Sequence, residues 1–408
     1  MNTVVALGTA PPALPAMRFA SGESHATCHA TTALTLVRAG TDRPAAIRYA
    51  EASLDDPGCA AHVSCTWTSL ITLLAAAAPH ALDARLHELE RSSHLAERVG
   101  GEVVVELLRA RCDFLLGQQD RARTVLTRVV ADRATAPDLR CLALAWLTHN
   151  LVAAKQHTAA RRLLEEHDIE RLLARRTAYR PQLLMARGAM HTGAGRFARG
   201  IEDFQEAGRA LMAAGVHNPA LVTWRPPIVK AALRLGNRDL ATRMATEELV
   251  AARRWGSPHA VGTALHTISL VTGSDADLED SISLMELGGT HHLLPEALLD
   301  LGGRLVAAGS PAARPRLERA VQVAALMGHH HLVDEAQRVL GRLASTADAK
   351  LSGQETRVLS LAQAGCTNKQ IAAKLCLTVR GVEFHLSSCY RKLGLSGRRD
   401  LAVLRIAT

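Results

Sequence analysis

Nine basic side chains gather near one end of this chain: Arg357, Lys369, Lys374, Arg380, Arg391, Lys392, Arg398, Arg399 and Arg405. Only Glu355, Glu383 and Asp400 oppose them between residues 351 and 408, so nine against three leaves a surplus of six out of the +9 carried by all 408 residues. The remainder is close to neutral. Such a cluster does not perform covalent chemistry. Lys and Arg displace the counterions condensed on a phosphate backbone, and a basic patch confined to one small module is the electrostatic footprint of nucleic-acid contact.

Those charges need elements with defined ends to aim them, and the segment marks its own helix starts. Ser352-Gly353-Gln354-Glu355 is a capping box, in which hydroxyl and carboxylate satisfy the free amides of a first helical turn. Apolar Val358, Leu359, Leu361 and Ala362 follow, and Gly365 is placed to end that helix. Thr367-Asn368-Lys369-Gln370 is a second box, opening a short helix through Ile371, Ala372 and Leu375. Thr378 caps a longer third helix from Val379 to Leu393, closed by Gly394, and Ser396 starts a fourth with Leu401, Ala402 and Leu404 on one face. Two helices joined by the tight Cys376-Leu377-Thr378 turn make a helix-turn-helix, whose second member is expected to enter the major groove. A helical hairpin with a merely solvated basic face does not account for the capping and the charge together.

The same residues carry a family resemblance. Leu351-Ser-Gly-Gln-Glu-Thr-Arg-Val-Leu359, Gly365-Cys-Thr-Asn-Lys-Gln-Ile-Ala372, Val382-Glu-Phe-His-Leu386 and Tyr390-Arg-Lys-Leu-Gly-Leu395 resemble the LuxR-type DNA-binding domain without a gap. The resemblance implies that Glu383, Phe384 and Ser387 face the base edges. It also implies that Asn368, Lys369, Thr378, Arg380, Arg391 and Lys392 hold phosphates, and that a dimer binds a pseudo-palindromic site. Leu401 and Leu404 on the fourth helix are then the natural dimer contact. Two positions depart from the family. Many members carry a lysine where this chain has Glu383, and a threonine where it has Gly381. A carboxylate cannot hold a phosphate but can accept from the exocyclic amine of cytosine. Gly381 costs up to about 1 kcal/mol of helix propensity relative to Ala.

Other chemistry is poorly provided for. No carboxylate pair, Ser-His-Asp set, Cys-His set or phosphate loop stands at a convincing spacing, which argues against an enzyme. The eight cysteines form no CxxC pair, as expected for a reducing compartment. Cys59, His62 and Cys65 invite a metal reading. On one helix, however, positions i and i+6 diverge, and no fourth ligand is close in sequence, so no metal and no cofactor are expected. His291-His292 and His329-His330-His331 read as exposed polar tips at helix or loop junctions. The longest apolar run, Leu70 to Ala78, is too short to span a membrane. Residues 1–24 read as a disordered leader of a cytoplasmic protein, since no Lys or Arg precedes Arg18.

Residues 25–343 are organised by an internal period. Turn signals recur at Gly40, near Pro79, at Gly117, near Gln156, and at Gly195, Gly236, Gly273 and Gly309, roughly 36 to 41 residues apart, within the range of helical-hairpin repeats. Amphipathic helices follow the turns: Ala122, Val125, Leu126, Val129 and Val130 after Gly117, and Phe197, Gly200, Ile201, Phe204, Gly208 and Leu211 after Gly195. Small residues such as Ala122 and Ala241 would let paired helices approach closely. The composition, 48% hydrophobic with only 3% aromatic, favours helices over sheets. The expected architecture is therefore all-α: a tetratricopeptide-like solenoid of helical hairpins, a small polar linker at 344–350, and the four-helix module at 351–408. Trp224, in the proline-interrupted segment from Asn218, is expected to pack between hairpins rather than to line a ligand loop.

From about Gly193 to Leu343, the runs Glu206-Ala-Gly-Arg, Trp224-Arg, Glu247-Glu-Leu-Val-Ala-Ala-Arg-Arg254 and Gly256-Ser-Pro-His259 are similar to the region before the DNA-binding domain in large ATP-binding LuxR-type regulators. The chain contains no Gly-x-x-x-x-Gly-Lys-Ser/Thr, so ATP-driven switching is not carried over. Neither a phosphorylated receiver nor an acyl-homoserine-lactone domain fits, because each requires a sheet. The expectation is a homodimeric transcription regulator, an activator by resemblance. Double-stranded DNA would be its main partner, and RNA polymerase and an unknown ligand or protein on the repeat surface are the others this layout allows. The alternative is a helical-repeat adaptor with a secondary, non-specific DNA anchor.

Overall fold

The structure is a computed structural model describing residues 28–60, 62–76, 79–91, 101–175, 177–349, 351–393, 395, 397 and 398. The expected leader and the expected fourth helix with Leu401 and Leu404 lie outside these residues. The described residues form 22 helices and no strands. They divide into two compact units, with the boundary between Asp334 and Glu335.

In the first unit, consecutive helices pair as hairpins. Arg180–Gly193 packs on Phe197–Ala213, Pro258–Thr272 on Asp275–Leu287, and Leu294–Ala307 on Ala313–Leu326. The turns fall where the period placed them. At Gly117 the backbone adopts φ 87°, a conformation without penalty only for glycine, and the Gln118 amide donates back to the Asp113 carbonyl at 2.7 Å. Helix Gln119–Ala131 begins directly afterwards. The same closure recurs as Arg196 N–H to His191 O, Asn237 N–H to Ala232 O and Ser310 N–H to Leu305 O, each at 2.9 Å. Where no glycine stands, Lys155 takes the left-handed place with φ 59°. Ala122 and Ala241 are fully buried, as close helix approach requires.

The array also closes on itself, joining hairpins far apart in sequence. Trp255 Nε1 donates to the Ala75 carbonyl at 2.9 Å, and Asn218 Nδ2 donates to the Val37 carbonyl at 2.8 Å. The His217 and Asn218 amides both donate to the Arg38 carbonyl, so the segment that interrupts the repeat is a strut to the first hairpin. Trp224 packs on helix Phe197–Ala213: a Cβ at Gly208 would lie 2.6 Å from its ring, and the Arg225 guanidinium sits 4.2 Å above the ring centroid.

Three expectations need correction. First, the helix His330–Ala349 runs through most of the stretch that composition marked as a linker; three of the six residues from 344 to 349 are alanine, the best helix former. Second, the histidine clusters are not uniformly exposed tips: His330 is exposed, but His291, His292 and His331 are half-buried. His329 is buried and its Nε2 lies 2.8 Å from Gln119 Nε2, while the His292 ring packs 5.3 Å from Phe114 and 5.0 Å from His259. Burial holds His292 well below the usual histidine range. These sites lie where distant hairpins meet, which local sequence cannot reveal. Third, Cys59 and Cys65 do not share a helix. One helix spans Pro57–Ala60 and a second spans Val63–Ala75. The two sulfurs thereby converge with that of Cys28, which lies 3.2 Å from Cys59 and 3.5 Å from Cys65.

Candidate DNA-binding interface

Both capping boxes of the second unit are formed. Ser352 Oγ accepts from the Glu355 amide at 3.1 Å while the Glu355 carboxylate accepts from the Ser352 amide at 2.6 Å, opening helix Gly353–Gln363. Thr367 and Gln370 repeat the exchange at the start of Asn368–Leu375. Cys376, in the left-handed conformation at φ 54°, ends that second helix, and the Leu377 amide donates back to the Ala372 carbonyl at 2.9 Å. Thr378 Oγ1 then accepts from the Gly381 amide at 3.0 Å at the start of the third helix, Val379–Leu393.

The third helix is divided lengthwise. Val382, Leu386 and Cys389, spaced at i, i+4 and i+7, are buried with Val358, Leu359, Ala362, Ile371 and Ala372 in one small core. The opposite stripe, Arg380, Glu383, Phe384, Ser387 and Arg391, is exposed along its whole length. Phe384 is 73% exposed, an unusual state for a side chain of that size. At 1.5 Å rise per residue, Arg380 and Arg391 stand roughly 16 Å apart along the axis, with Glu383, Phe384 and Ser387 between them. A cation at each end of a polar-aromatic stripe suits a major groove about 12 Å wide, flanked by phosphates.

Lys369 and Thr378 are also exposed. Asn368 is half-buried, and its Oδ1 accepts from Arg398 Nη1 at 2.7 Å, which leaves the amide hydrogens free to donate. The other Arg398 nitrogen donates to the Cys366 carbonyl, so this arginine braces the start of the second helix. Sequence reading counted Arg398 as charge without assigning it a place; its partners are about thirty residues away and follow no helical spacing.

Lys392 stands apart from the other cations. Its ammonium donates to Glu355 Oε2 at 2.8 Å, and only 15% of its side chain is exposed. Ser388 Oγ donates to the second carboxylate oxygen of Glu355 at 2.8 Å. Lys392, then the Ser352 amide, hold the Glu355 carboxyl down at about 2. Glu355 is therefore both a helix cap and the joint between the first and third helices. The charge of Lys392 lies in that joint, whereas the phosphate role implied by the resemblance needs an outward-facing ammonium.

Residues 349–405 match the family of bacterial regulatory proteins, luxR family. No curated protein matches the chain. Among solved structures, the chain is similar to one described as the crystal structure of Rap protein complexed with competence and sporulation factor, at 14% identity and a TM-score of 0.41, over 78% of this chain and 97% of that one. The described part of 349–405 holds two capping boxes, a tight turn between its second and third helices and an exposed stripe on the third. This segment is the luxR-family helix-turn-helix domain of the protein.

Proposed function

We propose that the chain is a sequence-specific transcription regulator that inserts helix Val379–Leu393 into the major groove. Glu383, Phe384 and Ser387 meet base edges there. Asn368, Lys369, Thr378, Arg380 and Arg391 meet phosphates, while Lys392 serves the Glu355 joint. The observation that carries this reading is the exposed stripe of the third helix. A solvent-facing Phe384 flanked by cations gains from covering an apolar edge such as a thymine methyl group, and Glu383 can accept from a cytosine amine. The protein acts in the cytoplasm as a dimer on a pseudo-palindromic site, with Leu401 and Leu404 in the dimer contact. Activation, with a contact to RNA polymerase, follows from the family resemblance. The repeat unit takes the sensing, partner-binding or dimerisation role.

Selection of preferred sites from a random duplex pool tests the base contacts. Glu383→Ala and Ser387→Ala should each shift the preferred base at one position per half-site, by about 1–3 kcal/mol. Unchanged preference in both variants would remove the third helix from base recognition.

A further inference from the structure

Cys28, Cys59 and Cys65 come from three separate elements and direct their sulfurs at one point. All three Sγ atoms lie within 4.8 Å of one another. Cysteines elsewhere in the chain behave differently: Cys112, Cys141 and Cys389 are absorbed into apolar cores as small hydrophobes. The converging three are half-buried, within reach of solvent.

The backbone around them is fixed before any ligand arrives. Asp56 Oδ1 accepts from the Gly58 amide at 2.7 Å and from the Cys59 amide at 3.3 Å. The His62 amide donates to the Cys59 carbonyl at 2.9 Å, and the Cys65 amide donates to the His62 carbonyl at 3.0 Å. These bonds link the end of one helix to the start of the next and leave both sulfurs beside that of Cys28. Cys28 is the residue that caps helix His29–Ala39, and Cys65 lies in the first turn of helix Val63–Ala75. Cys28 thus stands at the positive end of a helix, where negative thiolate charge is favoured, and backbone contacts with Ala30 and Thr31 help to lower its thiol, while burial pushes the Cys65 thiol up to about 12.

We propose that Cys28, Cys59 and Cys65 form a three-thiolate site for one thiophilic metal ion of the zinc class, with its fourth position open to water. With metal–sulfur bonds of about 2.3 Å, tetrahedral thiolates stand about 3.8 Å apart. The two shortest pairs here, at 3.2 and 3.5 Å, need to open by only a few tenths of an ångström. Binding forms three metal–sulfur bonds, and the thiol protons leave to solvent. No oxidant is required. The site lies wholly in the first unit and does not depend on the DNA-binding reading.

The test uses the reduced, chelator-treated full-length protein and cobalt(II) as a visible stand-in for zinc. One equivalent of cobalt should give thiolate-to-cobalt charge-transfer absorption, and zinc should displace it. Cys28→Ser and Cys59→Ser should lose the band, and Cys376→Ser, at an exposed cysteine of the second unit, should keep it. Absence of the band, or a full band in Cys28→Ser, would overturn the site. A measurement without variants guards against misfolding. Zinc should slow alkylation of Cys28, Cys59 and Cys65 by about tenfold or more, as mapped by mass spectrometry, and leave Cys376 unaffected. Equal labelling with and without zinc would overturn the proposal. So would a Cys28–Cys59 disulfide in a protein that, once reduced, takes up no cobalt.

Discussion

Replacing Glu355 by glutamine should loosen the DNA-binding domain while leaving its groove-facing stripe intact. The carboxylate accepts from the Lys392 ammonium, the Ser388 hydroxyl and the Ser352 amide, at 2.8, 2.8 and 2.6 Å. Together they lower its pKa from an ordinary value of 4.5 to about 2. Taken at face value that shift is worth about 3 kcal/mol, and screening at the surface of a small domain reduces it to about 1–2 kcal/mol. The folded pKa lies below the unfolded one. The contribution is therefore complete above about pH 4.5 and is lost as pH falls towards about 2. The second unit contains no tryptophan, so fluorescence does not report on it. Hydrogen exchange of peptides covering residues 353–393 in the full-length protein does. At neutral pH, Glu355→Gln should lower their protection about fivefold to thirtyfold. After correction for intrinsic exchange, the wild-type loss of protection between about pH 4.5 and 2 should flatten in the variant. Equal protection in the two proteins at neutral pH would refute the joint. An acid loss that persisted unchanged in the glutamine protein would refute it as well.

The same geometry separates Lys392 from the cations on the open face. Lys392→Met should reduce protection of residues 353–393 yet leave the salt dependence of DNA binding unchanged in the protein that remains folded. Lys369→Ala should do the reverse, reducing the slope of log K against log salt by about 0.9 for each bound domain with no loss of protection. In the first unit, Gly208→Ala would place a methyl group 2.6 Å from the Trp224 ring. Over-packing of that kind costs about 1–3 kcal/mol, so thermal melting followed by tryptophan fluorescence should shift downward, and an unshifted melt would contradict the packing described.

Much of this was legible because it is local. Capping boxes span four residues, and the glycine turns recur with a regular period, so the three described helices between 353 and 393 and the hairpins of the first unit followed from sequence. The buried faces of both followed as well: Val358 and Ile371 in one unit, Ala122 and Ala241 in the other. What sequence could not show depends on residues far apart. Lys392 looked like one more surface cation until Glu355, 37 residues away, claimed its charge. His329 looked like an exposed tip until the array closed and set it against Gln119, 210 residues away. Cys59 and Cys65 seemed to diverge because a single helix was assumed through both. A break between them, with Cys28 approaching from the first hairpin, reversed that geometry. Composition misled at 344–349, where small residues suited a helix as well as a linker.

The central claim is that the exposed stripe of helix Val379–Leu393 reads DNA sequence. It is tested most directly by a salt titration of full-length protein on two duplexes, one from the DNA flanking its own gene and one scrambled. If the three exposed cations proposed to meet phosphates in each domain, Lys369, Arg380 and Arg391, do so, the slope is near −3 for each bound domain and roughly −5 for a dimer. The flanking duplex should bind about a thousandfold more tightly than the scrambled one at physiological salt. Equal affinity for both duplexes, falling with the same slope, would contradict the claim and leave the basic domain a non-specific anchor.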